Sequence, residues 1–259
     1  MNHKIFTFKE ALADSEKNCK NRNGNVIRHL LLGNGFSIAY EPTIFTYNSL
    51  FSKANFASHP EVPAVFDALN TQDFEEVAYS LEQAAKVTPC YDGTFDTTKL
   101  VNHADAVKKV LINTIASNHP ENPDSLFSFN YTACSNFLNH FIGSKGKIYT
   151  LNYDILLYWV LMHGQNENIF TFDDGFRSPQ DDWDADYVTW DGGNSHKQNI
   201  YYLHGALHLF DSRHELQKFT WKRTDIPLLE QARTAINKGA FPLFVAEGTS
   251  EQKNGKNPA

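Results

Sequence analysis

Leu30-Leu31-Leu32-Gly33-Asn34-Gly35-Phe36-Ser37 joins an apolar run to a glycine turn. Val26 to Leu32 reads as a strand that stops at Gly33, because a short apolar run bounded by glycine is the pattern of a strand buried on both faces. Glycines at such a strand end let the backbone approach a phosphate closely, and a following helix offers unpaired N–H donors. The spacing Gly-x-Gly-x-Ser is neither the dinucleotide fingerprint nor a lysine-containing phosphate loop. A plain strand-to-helix turn therefore stays open beside phosphate binding.

Three more apolar runs end in polar turns. Ile148 to Leu151 reads as a strand within Tyr149-Thr150-Leu151-Asn152-Tyr153-Asp154, and Ile155 to Met162 follows as a helix apolar all round. Asn152 and Asp154 either cap that helix or face a ligand. Ile200 to Leu203 is a third strand, with Leu207 to Phe210 pairing beside it, and His204-Gly205 stands at its mouth. His204 is either a proton-transfer group or a satisfied core histidine; His208, inside the next apolar run, is the lesser candidate. Phe241 to Ala246 is the last strand and runs into Gly248-Thr249-Ser250, a turn suited to phosphate or ribose or else an ordinary surface turn. Taken together, four such turns stand where open α/β sheets bind their ligands, at the carboxyl ends of strands.

The segments between these runs read as helices. Phe74, Val77, Ala78, Leu81 and Ala85 share one helical face, Val107, Val110, Leu111 and Thr114 share another before Pro120, and a third helix runs from Asp124 to Gly143. Asp225 to Lys238 has an acidic cap, Pro227 in its first turn and Gly239 just past its end. The expected fold is α/β: a Rossmann-like, mostly parallel sheet with helices on both faces and a helical insertion over 38–149 between the first two motifs. An N-terminal helical segment over 1–25 precedes the domain over 26–250.

Composition narrows the function. The 259 residues are 41% hydrophobic and 20% charged with a net charge of −7, a globular composition whose main work is not neutralising nucleic-acid phosphates. The longest strongly apolar run, Ile155 to Met162, is too short to span a membrane, and residues 1–10 hold no signal-peptide core. Cys19, Cys90 and Cys134 lie far apart, which argues against a cysteine zinc site and a disulfide framework. A reduced, cytoplasmic protein is the expectation.

The order of the four turns resembles the sirtuin-like superfamily, which carries a Gly-Ala-Gly-x-Ser loop, a Thr-x-Asn-x-Asp stretch, a His-Gly and a late Gly-Thr-Ser. Here these are Gly33-Asn34-Gly35-Phe36-Ser37, Thr150-Leu151-Asn152-Tyr153-Asp154, His204-Gly205 and Gly248-Thr249-Ser250. The wording Leu-Asn-Tyr-Asp and Tyr-Leu-His-Gly-Ala-Leu is most similar to bacterial sirtuin-like domains linked to antiphage defence. That resemblance implies an NAD+ glycohydrolase releasing nicotinamide and ADP-ribose. His204 would act as base and Asn152 would position the ribose or water. Gly33, Asn34, Gly35, Phe36, Ser37, Asp154, Gly248, Thr249 and Ser250 would hold NAD, with no metal. Partners would be NAD and either a second copy of the chain or a defence-system protein.

Two departures shape the expectation. Protein-deacylating sirtuins usually carry four zinc cysteines after the His-Gly, and this chain has none between His204 and Gly248. That favours hydrolysis, with NAD-dependent deacylation and a catalytically silent nucleotide-sensing module as the alternatives. The family also continues past its last motif, whereas Glu251 to Ala259 reads as a polar tail. The expected consequence is self-association through Phe241 to Ala246 or poor NAD binding.

Other clusters read as structural. Asp173, Asp174, Asp181, Asp182, Asp184, Asp186 and Asp191 read as a solvated acidic loop, favoured over a calcium or magnesium site because no cation-loop spacing is present. Phe176, Trp183, Tyr187 and Trp190 either close that loop over a pocket or anchor it. His29, His59, His103, His119, His140 and His163 lie in separate segments without metal-ligand spacing, and Cys134 sits on an apolar helical face as a buried, inert thiol.

Overall fold

A computed structural model of the chain describes residues 5–120, 128–179, 184–212, 215–220, 226–240 and 242–244. After α1 (Phe8–Asn18) the apolar run forms β1 (Leu30–Leu32), shorter than the predicted strand. Seven helices follow among the described residues: α2 (Gly35–Tyr40), α3 (Pro42–Phe45), α4 (Tyr47–Lys53), α5 (Val62–Leu69), α6 (Phe74–Val87), α7 (Thr98–Asn118) and α8 (Ser128–Ile142). Then come β2 (Ile148–Thr150), α9 (Leu156–Asn166), β3 (Phe176–Arg177), β4 (Tyr187–Trp190), β5 (Ile200–Tyr202), β6 (Gly205–Asp211), β7 (Leu216–Phe219), α10 (Leu228–Asn237) and β8 (Pro242–Phe244).

The class is α/β, with two sheets. One is parallel, in the order β1-β2-β5; the other has the order β3-β4-β7-β6-β8 and is antiparallel throughout. The expectation of one mostly parallel sheet is corrected at His204-Gly205. Only two residues separate β5 from β6, and a parallel neighbour needs a crossover of about a dozen. Leu207 to Phe210 therefore cannot pair in parallel beside β5. Gly205 turns the chain instead, at φ 86°, and β6 opens the antiparallel sheet. The last strand joins that second sheet, where Phe244 pairs with Gly205. The acidic stretch, expected as a loop, also supplies β3 and β4, which are too short to show a period.

One large core joins the parallel sheet to the helices. Leu32, Ile148 and Ile200 from the strands meet Phe66, Phe74, Leu138, Leu156 and Leu161 from the helices. Phe51, Phe56, Phe66 and Phe74 make an aromatic cluster between α4, α5 and α6. A smaller core of Phe176, Ala206 and Leu209 underlies the antiparallel sheet. The helix α10 bridges the two bodies, and Arg233 Nε donates to Ala116 O at 2.8 Å. Its predicted cap, Asp225, lies outside the described residues, while Gly239 ends it in the left-handed region at φ 86°. Among the described residues no helix is long and apolar enough to cross a membrane.

Candidate functional site

Strand register brings three motifs into one row. Leu32 pairs with Thr150, and Thr150 with Tyr202. The strands are parallel and end level, so Gly33-Asn34, Leu151-Asn152 and Leu203-His204 leave the sheet side by side. Phe244, opposite Gly205, brings the described chain to the same edge. The fourth motif, Gly248-Thr249-Ser250, lies outside the described residues.

Beneath this row runs a buried chain of hydrogen bonds. Asn152 Nδ2 donates to Ser37 Oγ at 2.9 Å, and Ser37 Oγ donates to Asp154 Oδ2 at 2.6 Å. Asp154 Oδ1 accepts from the Leu156 backbone N–H at 2.9 Å, so it does cap α9, as one of the two sequence readings had it. His119 completes the cap: its Nε2 accepts from Ile155 N at 3.2 Å. Ser37 is fully buried with both hydroxyl functions committed, which removes it from phosphate contact. Burial pushes the Asp154 carboxyl above the ordinary carboxylate range, against the lowering effect of the Ser37 hydroxyl and the Leu156 N–H. Asn152 Oδ1 is buried and has no hydrogen-bond partner among the described residues.

Above the chain lies a cleft of about 160 Å³. Gly33, Asn34, Asn152, Tyr153, Asp154 and His204 form its polar side. Phe45, Leu50, Leu111 and Ile115 wall the other side together with Glu75. These come from α3, α4, α6 and α7, the helices in which sequence reasoning saw no site. The signal available there was apolar periodicity, which looks the same whether a face meets the core or a ligand. The cleft divides the first motif. Asn34 Nδ2 donates to Phe45 O at 2.9 Å, tying the glycine turn to α3. Gly35 and Phe36 line a different, apolar groove of about 530 Å³ with Leu31 and Phe137. Gly33 needs no left-handed φ, and a Cβ added there would meet nothing within 4 Å; the fold itself does not demand a glycine, and the bare backbone leaves room in the cleft.

His204 is half-buried, with Nδ1 3.4 Å from the Tyr153 hydroxyl. Gly205 fixes its place: a Cβ there would lie 1.8 Å from Leu243 O, a contact only glycine allows. His208 is fully buried and does not line the cleft. Its ring packs on Tyr202 and Tyr158, and neither ring nitrogen has a hydrogen-bond partner among the described residues.

The acidic stretch is less solvated than its composition suggests. Asp174 is buried and pairs with Lys218, Asp173 pairs with Arg177, and Asp191 accepts from Gly193 N at 2.9 Å. Phe176 and Trp190 are cross-strand neighbours, and Trp190 Nε1 donates to Gln198 Oε1 at 3.2 Å. These aromatics anchor the second sheet, and none of those described lines the cleft; Asp181, Asp182 and Trp183 lie outside the described residues. Cys134 is half-buried, its thiol pushed up to about 11 by burial. Among the described residues no group of His, Cys, Asp and Glu side chains is placed to hold a metal ion.

This α/β body, with polar turns converging on a helix-walled cleft, matches a known family description over residues 30–257, which begins at the first residue of β1. The chain belongs to that family, a domain of unknown function (DUF4917). No curated protein matches the chain.

Proposed function

We propose that this chain is an NAD+ glycohydrolase that splits the nicotinamide–ribose bond with water. The observation that carries the reading is that Gly33, Asn34, Asn152, Asp154 and His204, drawn from three separate motifs, line one cleft. Whole drug-sized ligands occupy pockets of about 300–1,000 Å³, so a cleft of about 160 Å³ suits one end of a dinucleotide. The unpartnered Asn152 Oδ1 fits a ligand hydroxyl, amide N–H or water, and the bare Gly33 backbone fits close approach by a bulky group.

In the proposed reaction the C–N bond breaks and nicotinamide leaves with its electron pair. Positive charge develops on the ribose, and water adds at the anomeric carbon. His204 takes the proton released from that water or polarises a ribose hydroxyl. The apolar walls of Phe45, Leu50, Leu111 and Ile115 keep stray solvent from the reacting bond. Ser37 acts beneath the surface, and Asp154, at the wall of the cleft, acts through Ser37 and Asn152. The placing in antiphage defence rests on the sequence resemblance, and that in the cytoplasm on composition and the scattered cysteines.

Incubation with NAD, followed by chromatography for nicotinamide and ADP-ribose, tests the proposal. Release without any acyl substrate is the expected result. Release only with an acyl-lysine peptide identifies a deacylase, and binding without release identifies a nucleotide sensor.

A further inference from the structure

The hydrogen bonds under the cleft run in one direction. Above the pH at which Asp154 takes up its proton, the carboxylate only accepts, so the single proton of Ser37 Oγ goes to Asp154 Oδ2 at 2.6 Å. Ser37 Oγ is then left with lone pairs only, and Asn152 must offer it the NH₂ branch, which it does at 2.9 Å. The carbonyl branch is thereby fixed on the other side of the amide, buried and unpartnered among the described residues. An unsatisfied buried acceptor beside a cleft costs free energy until a donor arrives.

We propose that Asp154 and Ser37 are positioning residues that set the orientation of the Asn152 amide, so that the site accepts a ligand group that donates a hydrogen bond and rejects one that only accepts. A ribose hydroxyl, a carboxamide NH₂ and a water molecule all qualify; a carboxylate does not. Asp154 exerts this selection through Ser37 and Asn152: one of its oxygens accepts from Ser37 and the other from Leu156 N.

The isosteric variant Asp154→Asn reverses the chain. Its carbonyl keeps the bond from Leu156 N, and its NH₂ donates to Ser37 Oγ. The Ser37 proton is then free for Asn152, which turns its carbonyl toward Ser37 and its NH₂ away. Neutron diffraction from deuterated crystals of the ligand-free protein distinguishes the two branches directly. The expected result is deuterons on the Ser37 side of Asn152 in the wild type and on the opposite side in Asp154→Asn. The same orientation in both, or a wild-type carbonyl on Ser37, overturns the proposal. The wild-type measurement stands alone if the variant does not fold, and Ser37→Ala, which cuts the chain at its middle, should leave both orientations populated.

Calorimetry with NAD supplies the ligand side, which rests on the proposed function. NAD affinity should fall about tenfold or more in Asp154→Asn, the loss of one buried hydrogen bond. Unchanged affinity with a reversed amide would refute selection through the carbonyl. Failure of the wild type to bind NAD would sink the glycohydrolase reading while leaving the diffraction result to decide the amide orientation.

Discussion

Ser37 and Asp154, 117 residues apart in sequence, share a 2.6 Å hydrogen bond inside the protein. The bond joins α2, just after β1, to the start of α9, so one hydroxyl holds together two segments that follow strand ends the parallel sheet only places side by side. Replacing it tests that tie. Ser37→Ala leaves the buried Asp154 Oδ2 without its donor, and an unsatisfied buried acceptor costs about 1–3 kcal/mol, more when charged. Urea denaturation should show a loss of at least about 1 kcal/mol. A change below about 0.5 kcal/mol would mean that the hydroxyl does not hold the two segments.

Asn152 and His204 should behave in the opposite way. Asn152→Ala removes one hydrogen bond but also an unsatisfied carbonyl, so its effect on stability should stay within about 1 kcal/mol. His204 is half-buried, and its replacement by alanine should also leave folding intact. In the glycohydrolase reading His204→Ala lowers turnover by about 100- to 10,000-fold, and Asn152→Ala by about 100-fold through lost positioning. Nicotinamide release and thermal melting, measured on the same samples, separate the two effects. Near-normal turnover in His204→Ala would remove it from the chemistry.

What the sequence disclosed follows from which signals are local. The ends of β1, β2 and β5 are legible to within one residue because apolar runs stop at polar turns, and Gly33, Asn34, Asn152, Asp154 and His204 from the motifs line one cleft. The roles of Ser37 and Asp154 are not legible, since a serine aimed at a phosphate and a serine aimed at a distant carboxylate are the same letter. The antiparallel sheet was hidden for another reason. Its strands β3, β4 and β8 are too short for a period, and its decisive feature is the connection of two residues between β5 and β6, a topological constraint rather than a compositional one. The helical walls of the cleft, Phe45, Leu50, Leu111 and Ile115, carry the same pattern as core residues and gave no separate signal.

Two glycines of the site should respond in contrary ways to one methyl group. Gly205 adopts φ 86°, and a Cβ there would lie 1.8 Å from Leu243 O. Gly205→Ala must displace β8 or the backbone of His204, with a stability loss of several kcal/mol, roughly the scale of combined strain and overpacking. Gly33 has an unconstrained φ and nothing within 4 Å of an added Cβ, so Gly33→Ala should be neutral or stabilising by up to about 1 kcal/mol through the unfolded chain. Because Gly33 lines the cleft, that same methyl should weaken NAD binding. Equal destabilisation of the two variants would show that Gly33 is a folding residue and not a site residue.

The last expectation concerns acid. Burial, then the nearby charge of Lys218 and of His119, holds the His208 imidazole well below its ordinary pKa of about 6.5. Its ring lies against Tyr158 and Tyr202, beside the buried Lys218–Asp174 pair. The folded state therefore binds fewer protons at this site than the unfolded chain does below about pH 6.5, and the contribution of His208 to stability is complete above that pH and is lost as pH falls. One such group gives a slope of up to about 1.4 kcal/mol per pH unit. Asp154 acts with the opposite sign: its raised pKa means that the folded state takes up its proton first, so stability gained there at low pH is lost as pH rises through the folded value. Urea denaturation between about pH 4.5 and 7.5 should show wild-type stability falling below about pH 6.5. His208→Phe, which keeps an aromatic ring against Tyr158 and Tyr202 without a titrating group, should flatten that fall, and Asp154→Asn should steepen it. Parallel curves for wild type and His208→Phe would mean that another histidine carries the acid sensitivity.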